Sequence, residues 1–133
     1  MIPILLDLPW PPSVNSYWRH PSSGPLAGRH LISAEGRAYR EAARLAMIEQ
    51  LQRQPRLRQR LDVTIQVAPP DRRQRDLDNL PKAIFDSLTH AGLWMDDSQI
   101  DALQVIRREP TPGGRVILVI READPLEAMP NAA

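Results

Sequence analysis

The segment from residue 61 to residue 92 constrains the fold of this chain more than any other. Residues 61–67 alternate between apolar and polar side chains, a pattern that predicts a strand with one buried face. Two prolines then stop the strand, and a loop rich in Arg and Asp leads to apolar residues at helical spacing, with Gly92 as a natural C-cap. The sequence therefore places a half-buried strand, a charged loop and an amphipathic helix in series.

The start and the buried face of this helix are also predicted. Asp78 or Asn79 is expected to cap it, and Pro81 fits its first turn, where the missing N–H costs no hydrogen bond. The predicted core stripe consists of Leu80, Ile84, Leu88 and Ala91, with Phe85 beside them.

The rest of the chain supplies one further helix and three further strands. A first strand is predicted from Ile2 to Leu8, followed by a long loop over residues 13–32 that contains two Pro and two Gly. Ser33 is a typical N-cap for a helix over residues 34–53. Its expected apolar stripe consists of Ala38, Ala42, Leu45, Ile48 and Leu51.

Residues 100–109 and 115–121 are predicted to pair as a hairpin around the turn at 110–114. The order β-α-β-α-β-β favours an α+β fold in which two helices pack on a mixed four-stranded sheet. The length of 133 residues predicts one domain, placed at residues 1–122, with a flexible C-terminal tail at 123–133.

Charge is distributed unevenly along the chain. Residues 1–75 have a net charge of +6 and residues 76–133 a net charge of −5, which together give the total of +1. A basic half joined to an acidic cluster suits a polyanion held beside a metal ion, although two solvated surfaces would give the same totals. The absence of Cys excludes disulfides and thiolate chemistry, and no segment matches a signal peptide or a membrane span, so we expect a cytoplasmic protein.

The acidic cluster has the composition of a magnesium site. Seven of the ten Asp lie between positions 71 and 101, where there is no Glu, and Asp is a short, hard oxygen ligand. Asp76 and Asp78 flank one apolar residue, and in an extended chain they would lie on the same side. Asp96 and Asp97 complete the site if the chain folds back over the sheet. Nearby Lys82 is the only lysine in the protein.

Each feature taken alone also has a purely structural interpretation. An Asp-x-Asp pair is commonly a capping or turn device, and Asp96-Asp97 is commonly a polar turn. Lys82 could pair with Asp86 one helical turn away. Arg37, Arg40 and Arg44, on one face of the first helix, could be a solvated surface. The features together favour a metal site. The three His have no spacing that indicates a zinc site.

With these residues the sequence resembles the RusA-type Holliday junction resolvases along nearly its whole length. The first matching motifs are Leu8-Pro9-Trp10-Pro11-Pro12-Ser13 with Asn15, Tyr17, Arg19 and His20, and then Ser33-Ala34-Glu35-Gly36 with Tyr39-Arg40. The next are Pro70-Asp71-Arg72-Arg73, Arg75-Asp76-Leu77-Asp78-Asn79-Leu80 with Lys82, and Ala91-Gly92, Trp94 and Asp96-Asp97. The chain departs from the family pattern in a longer 21–28 loop, a surface almost free of lysine and an extended C-terminal tail.

The resemblance implies a homodimer that acts on four-way DNA junctions and nicks two strands symmetrically, leaving 5′-phosphate and 3′-hydroxyl ends, in association with the nucleoid. It implies Asp76, Asp78 and Asp97 as essential acids that hold Mg²⁺ (or Mn²⁺ in its place), Asp96 as a candidate further ligand, and Lys82 as the catalytic lysine. Phosphate contacts are expected from Arg72, Arg73, Arg75, Asn79, Arg37, Arg40 and Arg44. Two alternatives stay open: a junction-binding protein that does not cleave, and a Mg²⁺-dependent hydrolase of small nucleotides.

Overall fold

The computed structural model describes residues 3–131. In chain order its elements are β1 (Ile4–Leu8), a one-turn helix α1 (Val14–Tyr17), β2 (Trp18–Arg19), β3 (Leu31–Ile32), α2 (Ala34–Leu51), β4 (Leu61–Ala68), α3 (Pro81–Ala91), β5 (Ile100–Arg107) and β6 (Arg115–Glu122). Two 3₁₀ turns, Leu77–Asn79 and Asp97–Gln99, precede α3 and β5. The predicted α+β class is confirmed; the predicted start of β1 at Ile2 lies outside the described residues.

The main sheet has four strands in the order β1-β6-β4-β5. β6 runs antiparallel to β1 and β4, whereas β5 pairs in parallel with β4 at the edge of the sheet. The predicted hairpin between β5 and β6 is therefore wrong, because β4 lies between these strands. α3 carries the chain back along the sheet, so that β5 starts beside the start of β4 and pairs with it in parallel, as strands joined by a helical crossover do.

The core lies between one face of this sheet and the two long helices. The alternation predicted for β4 is confirmed, because Leu61, Val63, Ile65 and Val67 are buried and the residues between them are half-buried. The stripe predicted for α3 is also buried throughout. α3 packs against α2, which in turn packs against β1.

The buried face of α2 differs from the predicted stripe. Gly36, Tyr39, Ala43 and Met47 face the core, whereas the side chain of Leu45 is 53% exposed. The tyrosine decides the rotation of the helix, because its ring is buried and its hydroxyl donates to the Pro9 carbonyl at 2.8 Å. The predicted N-cap is confirmed: the Ser33 hydroxyl accepts from the Gly36 N–H at 2.9 Å.

The predicted 13–32 loop contains regular structure. After the one-turn helix α1, strands β2 and β3 form a two-stranded antiparallel hairpin with the register Trp18↔Ile32 and Arg19↔Leu31. Ser33 ties this hairpin to the end of α1, because its hydroxyl donates to the Tyr17 carbonyl at 2.9 Å. The segment is therefore an ordered part of the domain that is hydrogen-bonded at the start of α2.

The start of α3 is built without a side-chain cap. Leu80 is the N-cap, Pro81 opens the first turn, and neither Asp78 nor Asn79 caps the helix because both lie in the preceding 3₁₀ turn. The predicted C-cap is confirmed, with Gly92 at φ 86°. Residues 123–131 form no helix or strand. No helix within residues 3–131 has the length and apolar character needed to cross a membrane.

Candidate active site

The acidic motif lies where β4 leads into α3. Asp76 has an extended backbone, and the 3₁₀ turn Leu77–Asn79 follows directly. Leu77 packs against the core and pins this turn to the protein. The prediction that Asp76 and Asp78 project together from an extended segment is therefore wrong. The turn separates the two carboxylates, and they line different pockets.

Asp78 shares an open groove with Lys82 and Asp97. The groove has a volume of about 600 Å³ and lies between the start of α3 and the edge strand β5. Its remaining lining is apolar and consists of Leu77, Pro81, Phe85, Leu103 and Val105. The structure thus brings two of the predicted acids and the only lysine of the chain to one site, from sequence positions up to 19 residues apart.

Asp96 and Asp97 have different environments although they are adjacent. Asp96 caps the 3₁₀ turn that follows it, and its carboxylate accepts from the Ser98 N–H at 3.1 Å. Hydrogen bonds from Ser98 hold the pKa of Asp96 below its usual value. Partial burial raises the pKa of Asp97, and the negative charges of Asp96 and Asp86 raise it further. Asp96 therefore shapes the turn, and Asp97 carries a carboxylate whose charge is poorly compensated.

The donor set in the groove suits a hard divalent cation. Mg²⁺ commonly takes one or two protein carboxylates and leaves its other positions to water and phosphate, and Asp78 and Asp97 supply that number. Burial and the negative charges of Asp96 and Asp86 raise the pKa of Asp97, and a cation bound beside it would lower that pKa. Among residues 3–131, however, no three acidic or histidine side chains form a compact metal cluster. Asp76 and Asp96 lie outside the pair that shares the groove.

Lys82 does not pair with Asp86, the partner that its helical spacing offers. Its Nζ lies 5.7 Å from the centroid of the Trp18 ring. Asp86 instead accepts from Arg40 Nε at 2.9 Å and Nη2 at 2.7 Å, and from the Tyr17 hydroxyl. No ion pair of the described residues joins Lys82 to a carboxylate.

Asp76 lies in a second pocket beside the groove. Trp10, Arg75 and Asn79 line it as well. The Arg75 guanidinium lies 5.8 Å from the centroid of the Trp10 ring, and its Nη1 donates to Asp71 at 2.7 Å. Arg75 is therefore held in place beside Asp76 and is only 21% exposed, whereas a freely solvated arginine would sample many positions.

A third pocket is strongly basic. Its lining includes Arg72 and Arg73, which the sequence predicted, and Arg107 and Arg108 from the end of β5, which it did not. The ion pair of Arg72 with Glu109 joins two side chains that are about 80% exposed, so it competes weakly with another anion. Knowledge that β5 pairs in parallel with β4 would have been enough to predict Arg107 and Arg108 in this pocket. Parallel pairing brings the C-terminal ends of both strands to the same edge of the sheet.

The three arginines of α2 share a face, as predicted, and line a pocket together with His90 of α3, but they differ in their partners. Arg44 pairs with Glu41 at 2.6 Å on the exposed surface. Arg40 is only 21% exposed, and its donors are directed to Asp86 and Tyr17. The structure therefore gives Arg40 an internal ion pair in place of the solvated position that the sequence suggested.

The tertiary structure also joins two histidines that the sequence treated as unrelated. His20 and His30 continue the register of the β2–β3 hairpin, and their ring nitrogens are 2.6 Å apart. The His30 ring in turn stacks on Trp18 at 4.4 Å between centroids. The contact between the two histidines could not be predicted, because it depends on cross-strand pairing in a hairpin that was not predicted.

Comparison with known proteins gives a consistent result. Residues 9–121 match the model of the family described as Endodeoxyribonuclease RusA. The chain belongs to the RusA family. It is 46% identical over 118 residues to the crossover junction endodeoxyribonuclease RusA of Escherichia coli (strain K12). The aligned residues cover 88% of this chain and 92% of that protein.

The RusA proteins of Shigella sonnei (strain Ss046) and Enterobacteria phage 82 are 45% and 47% identical to this chain, again over 88% of it and 92% of each relative. RusA-type nucleases are in general metal-dependent endonucleases, and the groove of this chain is lined by the two carboxylates of Asp78 and Asp97.

Proposed function

We propose that this chain is a divalent-metal-dependent endonuclease that resolves four-way DNA junctions by paired, symmetric nicks. The observation that carries the proposal is the groove in which Asp78, Asp97 and Lys82 meet, in a chain whose relatives are named crossover junction endodeoxyribonuclease. The open shape of the groove suits a phosphodiester backbone, which must enter and leave sideways.

Asp78 and Asp97 would hold Mg²⁺, or Mn²⁺ in its place, against the scissile phosphate. A divalent metal held there would supply Lewis-acid chemistry, activating water and polarising the phosphoryl group. Lys82 directs its ammonium at the same phosphate and offsets the negative charge that grows as water attacks phosphorus and the P–O3′ bond breaks. Asp76 and Asp96, which do not line the groove, complete the proposed acidic set.

The basic pockets would hold the arms of the junction. Arg72 and Arg73, with Arg107 and Arg108, line one of them, and Arg75 and Asn79 line the pocket of Asp76. Arg37 and Arg44 extend the basic surface along α2, with Arg40 behind them. Because contacts to phosphates carry no direct sequence information, arginines that bind phosphates here would set the position of the DNA and not select its sequence.

Two symmetric nicks require two active sites, so we place the working protein as a homodimer on the junction. We expect the protein to act in the cytoplasm, in association with the nucleoid, where junctions in DNA occur.

The test is a nicking assay on a synthetic four-way junction under single-turnover conditions, with Mg²⁺, Mn²⁺ or EDTA. The wild type should make paired nicks only with metal and leave a linear duplex of the same sequence uncut. Asp76→Asn, Asp78→Asn and Asp97→Asn should each bind the junction at least as tightly as the wild type and fail to nick it. Each change removes charge that binds the metal and also removes repulsion of phosphate.

The matched control is Arg53→Lys, because Arg53 is exposed near the end of α2 and outside every pocket described above. Wild-type protein that binds the junction but never nicks it would identify a non-cleaving junction binder. Hydrolysis of small nucleotides that duplex DNA does not inhibit would identify a nucleotide hydrolase instead.

A further inference from the structure

The ammonium of Lys82 does not lie beside the carboxylate nearest to it along the helix. Lys82 and Asp86 are four residues apart on α3, the spacing at which an ion pair usually forms. Such a pair would draw the ammonium along the helix and neutralise its charge. The structure prevents this by giving Asp86 other partners.

Arg40 is the principal partner of Asp86. Its Nε and Nη2 both donate to the same carboxylate oxygen, at 2.9 and 2.7 Å, and Nε also lies 3.0 Å from the Tyr17 hydroxyl. Two charge-assisted bonds from one planar group outcompete a single mobile ammonium. The Tyr17 hydroxyl adds a third donor, and burial together with this hydrogen bond raises the pKa of the phenol, which keeps it protonated.

Trp18 then provides a fixed surface beside the freed ammonium. Its ring meets Tyr17 edge-on at 4.9 Å between centroids and stacks against His30 on the hairpin. Lys82 Nζ lies 5.7 Å from the ring centroid, within the range of a cation–π contact. The positive charge of Lys82 also contributes to the lowered pKa of His30, after burial and the effect of His20, which agrees with its position beside the hairpin.

An aromatic ring and a carboxylate would hold the ammonium with different consequences. A carboxylate neutralises the charge and occupies N–H donors, whereas the ring attracts the cation through its quadrupole and leaves the charge and the donors available to a phosphate. The indole N–H of Trp18 is buried and has no hydrogen-bond partner within residues 3–131. Ring contacts, and not a hydrogen bond from the indole, therefore fix this side chain.

We propose that Trp18 is a positioning residue that holds the ammonium of Lys82 beside its ring and apart from Asp86, and that Arg40 makes this possible by occupying Asp86. The inference rests on the proposed function for its effect on the rate of cleavage. The contact itself belongs to the folded protein and can be measured without DNA.

The experiment uses the fact that Lys82 is the only lysine of the chain. Protein labelled with ¹³C at lysine Cε gives one side-chain signal, and ring current from Trp18 should move its protons upfield of the free-lysine position. Trp18→Leu should return the signal to that position, and Trp18→Phe should keep part of the shift. Arg40→Met should also abolish the shift, because Lys82 then turns to Asp86, and adding Asp86→Asn to that variant should restore it.

The same variants are assayed for single-turnover nicking. Trp18→Leu should slow cleavage about three- to thirtyfold, the range that corresponds to losing one cation–π contact, with junction affinity little changed. Trp18→Phe should recover most of the rate. The control is Arg53→Ala at an exposed site near the end of α2, which should change neither the signal nor the rate.

Three results would overturn the proposal. They are a wild-type lysine signal at the free position, a normal rate in Trp18→Leu, or an Arg53→Ala defect as large as that of Trp18→Leu. Wild-type protein that never nicks would refute the proposed function instead, and the lysine signal would still show whether Trp18 and Arg40 place Lys82 as inferred.

Discussion

Gly36 lies so close to the backbone carbonyl of Tyr17 that a β-carbon at position 36 would overlap its oxygen. The same β-carbon would stand 2.7 Å from Cγ1 of Ile32, well inside normal contact distance. The first turn of α2 can therefore pack on the hairpin only when this residue has no side chain. This contact joins the element that carries Trp18 to the helix that carries Arg40.

Gly36→Ala should destabilise the protein by about 1–3 kcal/mol, although alanine favours helix formation, because the added methyl group forces backbone and side chain apart. Urea unfolding followed by circular dichroism measures the change. Leu45→Ala is the control in the same helix, since Leu45 is exposed and its loss should alter stability by about 0.5 kcal/mol or less. Equal stability of Gly36→Ala and wild type would show that the two elements can separate without cost.

Lys82→Arg should reduce the single-turnover nicking rate on the order of 100- to 1000-fold, the usual cost of removing one well-aimed donor to a transition state. The guanidinium keeps the charge and can stack on Trp18, but it is longer and planar, so it would not present its donors where the compact ammonium of Lys82 does. Thermal stability and junction affinity should change little.

The control for this exchange is Arg53→Lys at an exposed site. Asp86→Ala is unsuitable for that purpose, because it would strip Arg40 and Tyr17 of their shared partner. Near-normal cleavage by Lys82→Arg would remove Lys82 from the catalytic set.

Asp97 should make stability depend on pH in metal-free protein. Its pKa is raised in the folded state, so the proton binds the folded chain more tightly than the unfolded chain. The resulting stabilisation is fully present below the unfolded pKa of about 3.9 and is lost as pH rises through the folded value. At neutral pH the ionised side chain therefore opposes folding.

Asp97→Asn should accordingly melt at a higher temperature than wild type in EDTA at pH 7–8, and the difference should close below about pH 4. Added Mg²⁺ should raise the melting temperature of wild type and leave the variant unchanged. A variant that melts lower than wild type in EDTA at neutral pH would contradict this account of the Asp97 environment.

Junction binding should weaken with salt, and the arginines should differ in their contribution to the slope. Arg73→Ala and Arg108→Ala should each reduce the log–log slope by about one unit, because each side chain lines the exposed basic pocket. Arg40→Ala should leave the slope unchanged, since its guanidinium is bound to Asp86. Fluorescence anisotropy over a salt series measures this, with Arg53→Ala as the control. An unaltered slope for Arg108→Ala would exclude that residue from the phosphate path.

Structural features that depend on a few consecutive residues were predicted correctly from the sequence. The alternation in β4, the cap at Ser33 and the glycine at the end of α3 are properties of a few consecutive residues, and all three appear in the structure. The predicted stripe of α2 is correct at Ile48 and Leu51, which pack against the core, and wrong in its first two turns. Ala38, Ala42 and Leu45 form a stripe as regular as the true one, and only the buried ring of Tyr39 selects between the two.

The candidate site divides in the same way. The sequence determined which residue types are present: a cluster of Asp at the junction of a strand and a helix, one lysine, and a basic loop before them. Tertiary structure decided that β5 lies beside β4, which brings Arg107 and Arg108 to the basic pocket. It also placed Asp76 apart from Asp78 and gave Lys82 a tryptophan in place of Asp86. The physical reason is that spacing along the chain fixes only which neighbours a side chain could meet. Folding brings other partners close as well, and competition among them decides which neighbour the side chain contacts. Here Arg40, 46 residues away in the sequence, binds Asp86 in place of Lys82.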